Sequence, residues 1–406
     1  MLNALGIILH ENAKPPTQED DPMWQQEFTW FFALFHHEFR RGNRIAFEML
    51  MALAFAHFFG FYNPKQLADF LDIPHQKIYK YLKEYSLYYL KEILLRFMIM
   101  QAVEHLKPVM IKSAATLSRA GVTLSVDNSV MDRFGKLLRC TWSWYSGRCH
   151  DVVRGQDLLG IVLTINHMAL PLHLLFCSKQ GRYNTNKADL LIFMLSRLKA
   201  EFHRQGIDLT KIPLTMDSWF VSQSLRQRLH DLGFTKIIIA GKSNYTFTID
   251  GKKQDASQWK KELVLHDPTW GIDVPSCRVH AQSPTFGSLI LVFFQKSTTR
   301  SYYLMNFSQA SMRSAEIWHI WKQHHLIECF WKILKSIFRI RAMQLQGHGL
   351  YTALLIKVLA YVLAIRLQAH RPFSKLTITQ MMRNLSRDHD LGTVLTAHFH
   401  LPFLAT

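Results

Sequence analysis

The sequence predicts a mixed α/β protein, in which an all-helical amino-terminal part precedes an α/β core that a β-rich insertion interrupts. Three observations predict it. Helical periodicity dominates residues 24–118, β-branched runs alternate with helical segments from about residue 121, and residues 246–300 are polar with turn signals and short strand-like pieces. We expect the segments to be 1–118 for the helical part, 119–245 and 301–370 for the two parts of the core, 246–300 for the insertion and 371–406 for a carboxy-terminal tail.

Two short helices are predicted in residues 63–85. Asn63 can cap a helix that has Pro64 at its first position, and Asp72 begins the Asp-Ile-Pro stretch that breaks it. This arrangement resembles a helix-turn-helix, whose second helix would enter a DNA groove; the alternative is an ordinary helical hairpin. The outward residues of the second helix, and hence the candidate DNA contacts, are His75, Gln76, Lys77 and Lys80.

Strands and helices then follow one another along the core. The predicted strands are residues 121–127, 158–165, 169–176, 212–217, 236–241 and 302–307. The second and third form a hairpin with its turn at Asn166 and His167. The predicted core helices are residues 188–206, 221–233 and 317–338.

The composition indicates a compact globular protein with a polyanionic partner. Hydrophobic residues make up 49% of the 406 residues and charged residues only 19%, which leaves no room for long disordered tails. The net charge of +18, from 48 basic and 30 acidic residues, points to nucleic acid. An anionic membrane surface and a general basic drift in composition are the alternatives.

We expect a cytoplasmic protein that does not cross a membrane. The two longest apolar runs, residues 158–176 and 351–367, are interrupted by polar residues or are short for a span, and no secretory signal is apparent. The cysteines show neither a zinc spacing nor the even number of a disulfide framework. They are Cys140, Cys149, Cys177, Cys277 and Cys329.

Three acidic residues stand out. Asp127 and Asp217 each close a predicted strand, where α/β folds place their sites, although an acid there can also be a turn or cap residue. Glu328 lies on the 317–338 helix, beside the apolar stripe of Ile327, Trp331, Leu334 and Phe338. The alternative for Glu328 is a solvated pair with Lys335, but a spacing of seven residues is long for a helix ion pair.

Convergence of the three acids would require cations. Carboxylates that meet at one point repel each other unless divalent ions lie between them. Two such ions can activate a nucleophile and stabilise the leaving oxygen of a phosphoryl displacement.

These residues resemble the DDE transposases of bacterial insertion sequences. The branch in question carries Tyr-x2-Arg-x3-Glu-x6-Lys on its glutamate helix, and Trp321, His324, Glu328 and Lys335 match the spacing, with Trp and His in place of Tyr and Arg. The resemblance covers roughly residues 119–370. The stretches that begin at Asp217 (Asp-Ser-Trp-Phe) and at Lys242 (Lys-Ser-Asn) are also similar to the family's flanks.

The resemblance implies an RNase H-like core and DNA strand cleavage and transfer. It implies that Asp127, Asp217 and Glu328 hold two Mg²⁺ ions, for which Mn²⁺ can substitute. The implied partners are duplex DNA, as transposon terminal inverted repeats and target, and a second copy in a homodimeric synaptic complex. The implied location is the bacterial nucleoid.

The resemblance also implies DNA contacts at Lys335, Lys242, Trp321 and His324. Trp321 cannot donate a phenolic hydrogen bond, and His324 is a weaker, pH-dependent phosphate ligand than Arg. Some members of the family flip a base, for which Trp259 or Trp270 would be the stacking residue.

Two alternatives remain open at the level of sequence. One is a catalytically silent DNA-binding descendant that acts as a regulator, which would have no need of three converging acids. The other is a different RNase H-like nuclease, which would leave the spacing of Lys335 and the β insertion unexplained.

Overall fold

A computed structural model describes most of the chain. The described residues are 44–84, 87–110, 121–132, 141–147, 149–179, 186–266, 272–297, 300–308, 311–342, 348–369 and 373–398. Contacts divide the chain into two units, which are taken separately: a helical unit of residues 1–93 with 347–406, and a sheet unit of residues 94–346.

Helices and strands alternate along the sheet unit, whereas the helical unit has helices alone among its described residues. The helices are α1 Arg44–Ala56, α2 Pro64–Phe70, α3 His75–Glu84, α4 Leu87–Met110, α5 Lys187–Arg204, α6 Gln223–Asp231, α7 Ala256–Glu262, α8 Ser314–Ser336, α9 His348–Gln368, α10 Ile378–Asp388 and α11 Leu391–His398. The strands are β1 Thr123–Asp132, β2 Trp142–Ser146, β3 Asp151–Ile165, β4 Met168–Phe176, β5 Leu214–Met216, β6 Ile237–Ala240, β7 Thr246–Ile249, β8 Lys252–Asp255, β9 Ser276–Ser283, β10 Gly287–Ser297 and β11 Arg300–Asn306.

The two predicted short helices form as α2 and α3. The Asn63 side chain accepts a hydrogen bond from the Gln66 amide at 2.9 Å, and Pro64 is the first residue of α2. Asp72, at φ 49°, turns the chain towards α3. Ile78 is buried on the inner face of α3, and its outer face exposes His75, Gln76, Lys77 and Lys80. Their contact with DNA stays a prediction.

The second long apolar run forms α9 in the helical unit. The helix is apolar around its whole circumference and is, by length and composition, the one described helix that could span a bilayer; 89% of that window is buried in the protein. Its Lys357 is also buried. The cost of burying this amine is offset by polar partners, because the Nζ atom lies 3.0 Å from His57 Nε2 and 2.9 Å from the Tyr62 carbonyl oxygen. α9, which closes the expected core segment 301–370, packs against α1 and α3.

The sheet unit is built on one mixed sheet. Its order is β2-β3-β1-β5-β6-β11-β10-β9-β7-β8, with β4 paired to β3. β3 runs antiparallel to β1 and β4, whereas β5 lies parallel to β1, and β6 lies parallel to β5. In the segment of the predicted β-rich insertion, strands β7 to β10 extend the sheet beyond β11.

The predicted hairpin is confirmed as β3 and β4. Its turn residues Asn166 and His167 both have positive φ, 49° and 65°, as a two-residue turn of this kind requires. β3 is longer than expected, beginning at Asp151, and it pairs there with β2, which the sequence did not predict.

β1 is also longer than expected, so that Asp127 lies inside a strand. β1 pairs with β3 along its whole length to Asp132, whereas its pairing with β5 stops at Val126. Asp127 is therefore the first residue at which β1 is free on its β5 side. The sequence missed the continuation because Asp-Asn-Ser is typical of a turn.

α8 packs across β1, β3, β4 and β5. Its predicted inner stripe is confirmed for Ile327, Trp331 and Leu334, which are buried; Phe338 is also buried but follows the end of the helix. Trp331 lies against Gly160 of β3, where an added Cβ would come within 2.7 Å of the indole. Since Gly160 is the register partner of Asp127, this contact sets the height of α8 above the strand that carries the acid.

Candidate active site

Two of the three predicted acids lie at equivalent positions of neighbouring strands. Val126 of β1 pairs with Met216 of the parallel strand β5, and Asp127 and Asp217 are the next residues of the two chains. Each carboxylate accepts a hydrogen bond from the following backbone N–H, at 2.7 Å for Asp127 and 2.6 Å for Asp217. The parallel register thus brings the two carboxylates to one edge of the sheet.

The third acid enters from α8. Glu328 and Lys335 both line the cleft that Asp127 and Asp217 line, although they are two turns apart on the helix. The cleft has a volume of about 1230 Å³, which exceeds the usual pocket for a small molecule. The site is therefore wide enough for a segment of a polymer.

The acids affect one another electrostatically. Burial and, after it, the negative charges of Asp217 and Glu328 raise the pKa of Asp127 to about 7, against the lowering effects of the Asn128 backbone N–H and Lys335. A carboxyl group in a cleft whose pKa is raised to about 7 is typical of a functional site.

The donor set fits a hard divalent cation. Carboxylate oxygens are the ligands that Mg²⁺ prefers, and a cation would relieve the repulsion among the acids. Among the described residues no three His, Cys, Asp or Glu side chains are close enough together to hold one ion.

Cations surround the acids in the same cleft. The basic side chains that line it are Lys179, Lys187, Lys242, Lys332, Lys335 and Arg341. Lys187 is neutralised by its ion pair with Asp157, but the other five positive charges still outnumber the three carboxylates, so the cleft as a whole favours an anionic ligand. Lys335 and Lys242, predicted to contact DNA, both line this cleft, and their contact with DNA stays a prediction.

Trp321 and His324, predicted to contact DNA, lie elsewhere. His324 is buried, and its Nδ1 atom lies 3.0 Å from Thr215 Oγ1 of β5. Trp321 stacks on His324 with ring centroids 4.6 Å apart and packs against the core cluster of the sheet. Burial lowers the pKa of His324 to about 4 and so keeps it neutral, against the raising effect of Asp217. The two rings pack α8 on the sheet and do not line the cleft.

The insertion tryptophans do not supply a stacking surface within the described residues. Trp259 is buried on α7 and donates its indole N–H to the Phe247 carbonyl oxygen at 3.1 Å. Trp270 lies outside the described residues. Trp259 is therefore ruled out as an exposed stacking residue, because both its ring and its polar atom are used inside the insertion.

A buried ion pair behind the acids was missed by the sequence reasoning. Lys187 of α5 and Asp157 of β3 form an ion pair at 2.6 Å, with side chains 9% and 0% exposed. The Asn128 amide donates to the other Asp157 oxygen at 2.8 Å, beside Asp127. The spacing of these two residues in the sequence does not indicate that they meet. The one available signal was that Asp157 is an acid at the start of a long apolar run.

An exposed tryptophan in the cleft was also missed as a site residue. Trp219 follows Asp217 by two positions, within the Asp-Ser-Trp-Phe stretch, and lines the cleft with Trp144 and Tyr145. The side chain of Trp219 is 51% exposed.

Comparison with known proteins identifies related sequences. The family model for the transposase DDE domain matches residues 126–363, more than half of the chain. No curated protein matches the sequence. Among solved structures, the chain is similar to a piggyBac transposase in a synaptic complex with hairpin DNA, at 13% identity and a TM-score of 0.46, covering 94% of this chain and 80% of that one.

Proposed function

The chain belongs to the transposase DDE domain family, and from this premise we propose that it cuts and joins DNA with Asp127, Asp217 and Glu328 as its catalytic acids. The observation that carries the proposal is their convergence from β1, β5 and α8 on one cleft in which cations outnumber acids. Asp217 and Glu328 are exposed and Asp127 is half-buried, so three carboxylates face the cleft and repel one another unless cations lie between them. A phosphodiester would account for the basic side chains of the cleft, and divalent ions would account for its carboxylates.

The strand arrangement supports an RNase H-like core. β1, β3 and β4 form an antiparallel meander, and β5 and β6 continue the sheet in parallel with β1 on its other side. This is the arrangement implied for such a core, and the acids lie where it would place them, at the ends of the parallel pairing and on the helix above.

The three carboxylates would hold Mg²⁺, with Mn²⁺ as a substitute. When bound, such ions supply Lewis-acid stabilisation of the attacking and leaving oxygens. Asp127 is the acid that must give up a proton for this purpose, since its pKa is about 7. Lys335 and Lys242, which line the same cleft, would bind the phosphates on either side of the scissile bond.

Recognition of the element's own ends is assigned to α3. Its exposed His75, Gln76, Lys77 and Lys80 would read the terminal repeats from a DNA groove. Joining two ends requires two catalytic sites, which we assign to a homodimer on duplex DNA in the bacterial nucleoid.

The silent regulator is the second candidate, and one observation favours it. Trp321 and His324 occupy two signature positions, but His324 is buried, Trp321 is half-buried and stacked on it, and neither lines the cleft where the end contacts are implied. Such a chain would bind the ends without cutting them.

Strand cleavage distinguishes these two functions. A plasmid carrying the DNA that flanks the reading frame is incubated with the chain in Mg²⁺ or in EDTA, and nicks are mapped. We expect Mg²⁺-dependent nicks at the repeat boundary, lost in Glu328→Gln. The matched control is Glu316→Gln on the same helix, because Glu316 pairs with Lys236 at 2.9 Å and does not line the cleft. Binding without nicking by the wild type would favour the regulator.

A further inference from the structure

A buried network of three polar side chains, Ser125, Thr215 and His324, lies behind the acids. Ser125 Oγ is 3.1 Å from Thr215 Oγ1, and Thr215 Oγ1 is 3.0 Å from His324 Nδ1. Ser125 and Thr215 are fully buried, and His324 is 5% exposed. Buried polar groups cost free energy unless they are hydrogen-bonded, and apolar side chains of the same shape would pack the sheet as well. The network therefore calls for a role beyond packing.

Two members of the network stand directly behind the two aspartates. Ser125 precedes Asp127 by two residues and Thr215 precedes Asp217 by two, with extended backbone in both places. Side chains two residues apart in an extended chain lie on the same face. The parallel register of β1 and β5 pairs Ser125 with Thr215. Their contact thus joins the two strands one side-chain position behind the carboxylates.

The third member joins α8 to these strands. His324 precedes Glu328 by four residues, so the two side chains lie on one face of the helix, a turn apart. Trp321 stacks on the imidazole, with an interplanar angle of 10°, and so restrains the ring whose Nδ1 atom meets Thr215. Apolar contacts are non-directional, whereas a hydrogen bond has a preferred distance and angle. The contact of His324 with Thr215 therefore fixes where α8 lies along β5.

Thr215 is the centre of the network. Its hydroxyl group also lies 3.3 Å from the Leu124 carbonyl oxygen. A hydroxyl group can donate one hydrogen bond and accept two. All its contacts are satisfied together when it donates to Leu124 and accepts from the Ser125 hydroxyl and the His324 Nδ1–H. Valine has the shape of threonine without this capacity, so Thr215→Val would disconnect β1, β5 and α8 from one another at this point.

We propose that this network is the positioning device of the metal site: it sets the distances among the three acids without touching the metal. Its members are accordingly positioning residues. A metal site needs its ligands held within about 0.5 Å of the binding geometry by groups that are themselves fixed. The assignment rests on the proposed function, because it presumes that the three acids bind the cations. It also gives His324 a role at its signature position other than contact with DNA.

Affinity for Mn²⁺ tests the proposal without requiring cleavage. The ion is titrated calorimetrically into the full chain at pH 8. We expect Thr215→Val to weaken binding by about tenfold, the lower end of the losses that follow removal of a hydrogen-bonded partner behind a metal ligand. Thr215→Ser keeps the hydroxyl group and should retain most of the affinity. Ser125→Ala, a smaller change in the same network, should also weaken binding.

The matched control is Thr164→Val. Thr164 is fully buried on β3 and donates its hydroxyl group to the Thr123 carbonyl oxygen at 3.1 Å, but it does not line the cleft and has no part in the network. Thr164→Val and Thr215→Val each remove one buried hydroxyl group, so both should unfold at lower urea concentrations than the wild type. Only Thr215→Val should lose affinity for Mn²⁺, which separates positioning from stability.

The outcomes distinguish this inference from the proposed function. Wild-type affinity for Mn²⁺ in Thr215→Val, or in Ser125→Ala if Thr215→Val does not fold, would overturn the inference. An equal loss in Thr164→Val would overturn it too. If Glu328→Gln loses affinity in the same titrations, the proposed function stands in either case. A wild type that does not bind Mn²⁺ would overturn the proposed function and this inference with it.

Discussion

Asp127 shows how a single residue can link pH to metal binding. Its pKa of about 7 in the folded protein lies above the ordinary value of 3.8. At pH values between these two, the folded chain therefore keeps a proton that the unfolded chain has lost. The contribution of Asp127 to the stability of the metal-free chain therefore falls as pH rises from about 4 to about 7 and does not change above that range. Binding of a cation needs the ionised form, so metal affinity should rise over the same interval.

Asp127→Asn tests this linkage. The variant removes the cost of ionising a buried carboxyl group, so we expect it to be more stable than the wild type at pH 8, by at most about 4 kcal/mol. The advantage should vanish near pH 4. Urea unfolding in EDTA at a series of pH values measures it; a difference between the two proteins that does not vary with pH would refute the linkage.

His324 tests whether a signature position can serve packing instead of DNA contact. His324→Ala removes a buried ring and leaves Thr215 without that partner, so we expect a loss of about 2–3 kcal/mol in unfolding free energy. Affinity for DNA should not change at a temperature where the variant is folded. The exposed neighbour His325 provides the control, since His325→Ala should be nearly neutral in both measurements. A tenfold loss of DNA affinity with full stability would contradict the packing role.

At the scale of elements, the contact between β3 and α8 should control the position of Glu328. A methyl group at Gly160 would lie 2.7 Å from the Trp331 ring, so Gly160→Ala must push α8 outward or distort β3, at a cost of about 1–3 kcal/mol. Because α8 carries Glu328, metal affinity should fall as well. Calorimetric titration with Mn²⁺ and thermal unfolding measure the two effects.

Two variants make the test of this contact specific. Gly147→Ala is the control, because a Cβ there would meet no atom within 4 Å. Adding Trp331→Leu to Gly160→Ala provides room for the methyl group and should restore part of the metal affinity. If Gly160→Ala binds Mn²⁺ like the wild type, the helix is not positioned by this contact.

Periodicity predicted most elements but not their full extent. The β3–β4 hairpin, β5, β6 and α8 follow from apolar patterns, and the parallel strands bring Asp127 and Asp217 together as strand ends should. β2 and the first half of β3 were missed because their stability comes from pairing with each other across exposed positions, which no local pattern encodes.

The placement of the three acids on one cleft was predictable from the sequence, but the surroundings of that cleft were not. Helical spacing correctly placed Glu328 beside the buried stripe, yet the same spacing cannot show that His324 points inward to Thr215. The ion pair of Lys187 and Asp157 joins residues thirty positions apart, so only tertiary structure reveals it.

Charge acts at the scale of the whole molecule. With a net charge of +18, the chain should bind DNA with a steep dependence on salt, and each phosphate contact contributes about 0.9 to the slope of log K against log salt. Lys335→Ala should therefore reduce the magnitude of this slope by about 0.9, the contribution of one phosphate contact. Lys211, exposed and outside the cleft lining, is the control. Equal slopes for the wild type and Lys335→Ala would show that Lys335 makes no phosphate contact.

The division of the chain into units also belongs to this scale. The apolar helix α9 follows α8 in sequence and was expected to complete the core, but it lies with α1 and α3 because its whole circumference is apolar and needs burial among helices. Hydrophobicity predicts that such a helix is buried; it does not say in which unit.

Metal binding by the three acids is the most direct test of the central claim. Mn²⁺ is titrated calorimetrically into the wild type and into Asp127→Asn, Asp217→Asn, Glu328→Gln and the control Glu316→Gln at pH 8. We expect each of the first three variants to lose at least about tenfold in affinity and the control to match the wild type. Wild-type affinity in Glu328→Gln, or an equal loss in Glu316→Gln, would contradict a metal site built from β1, β5 and α8.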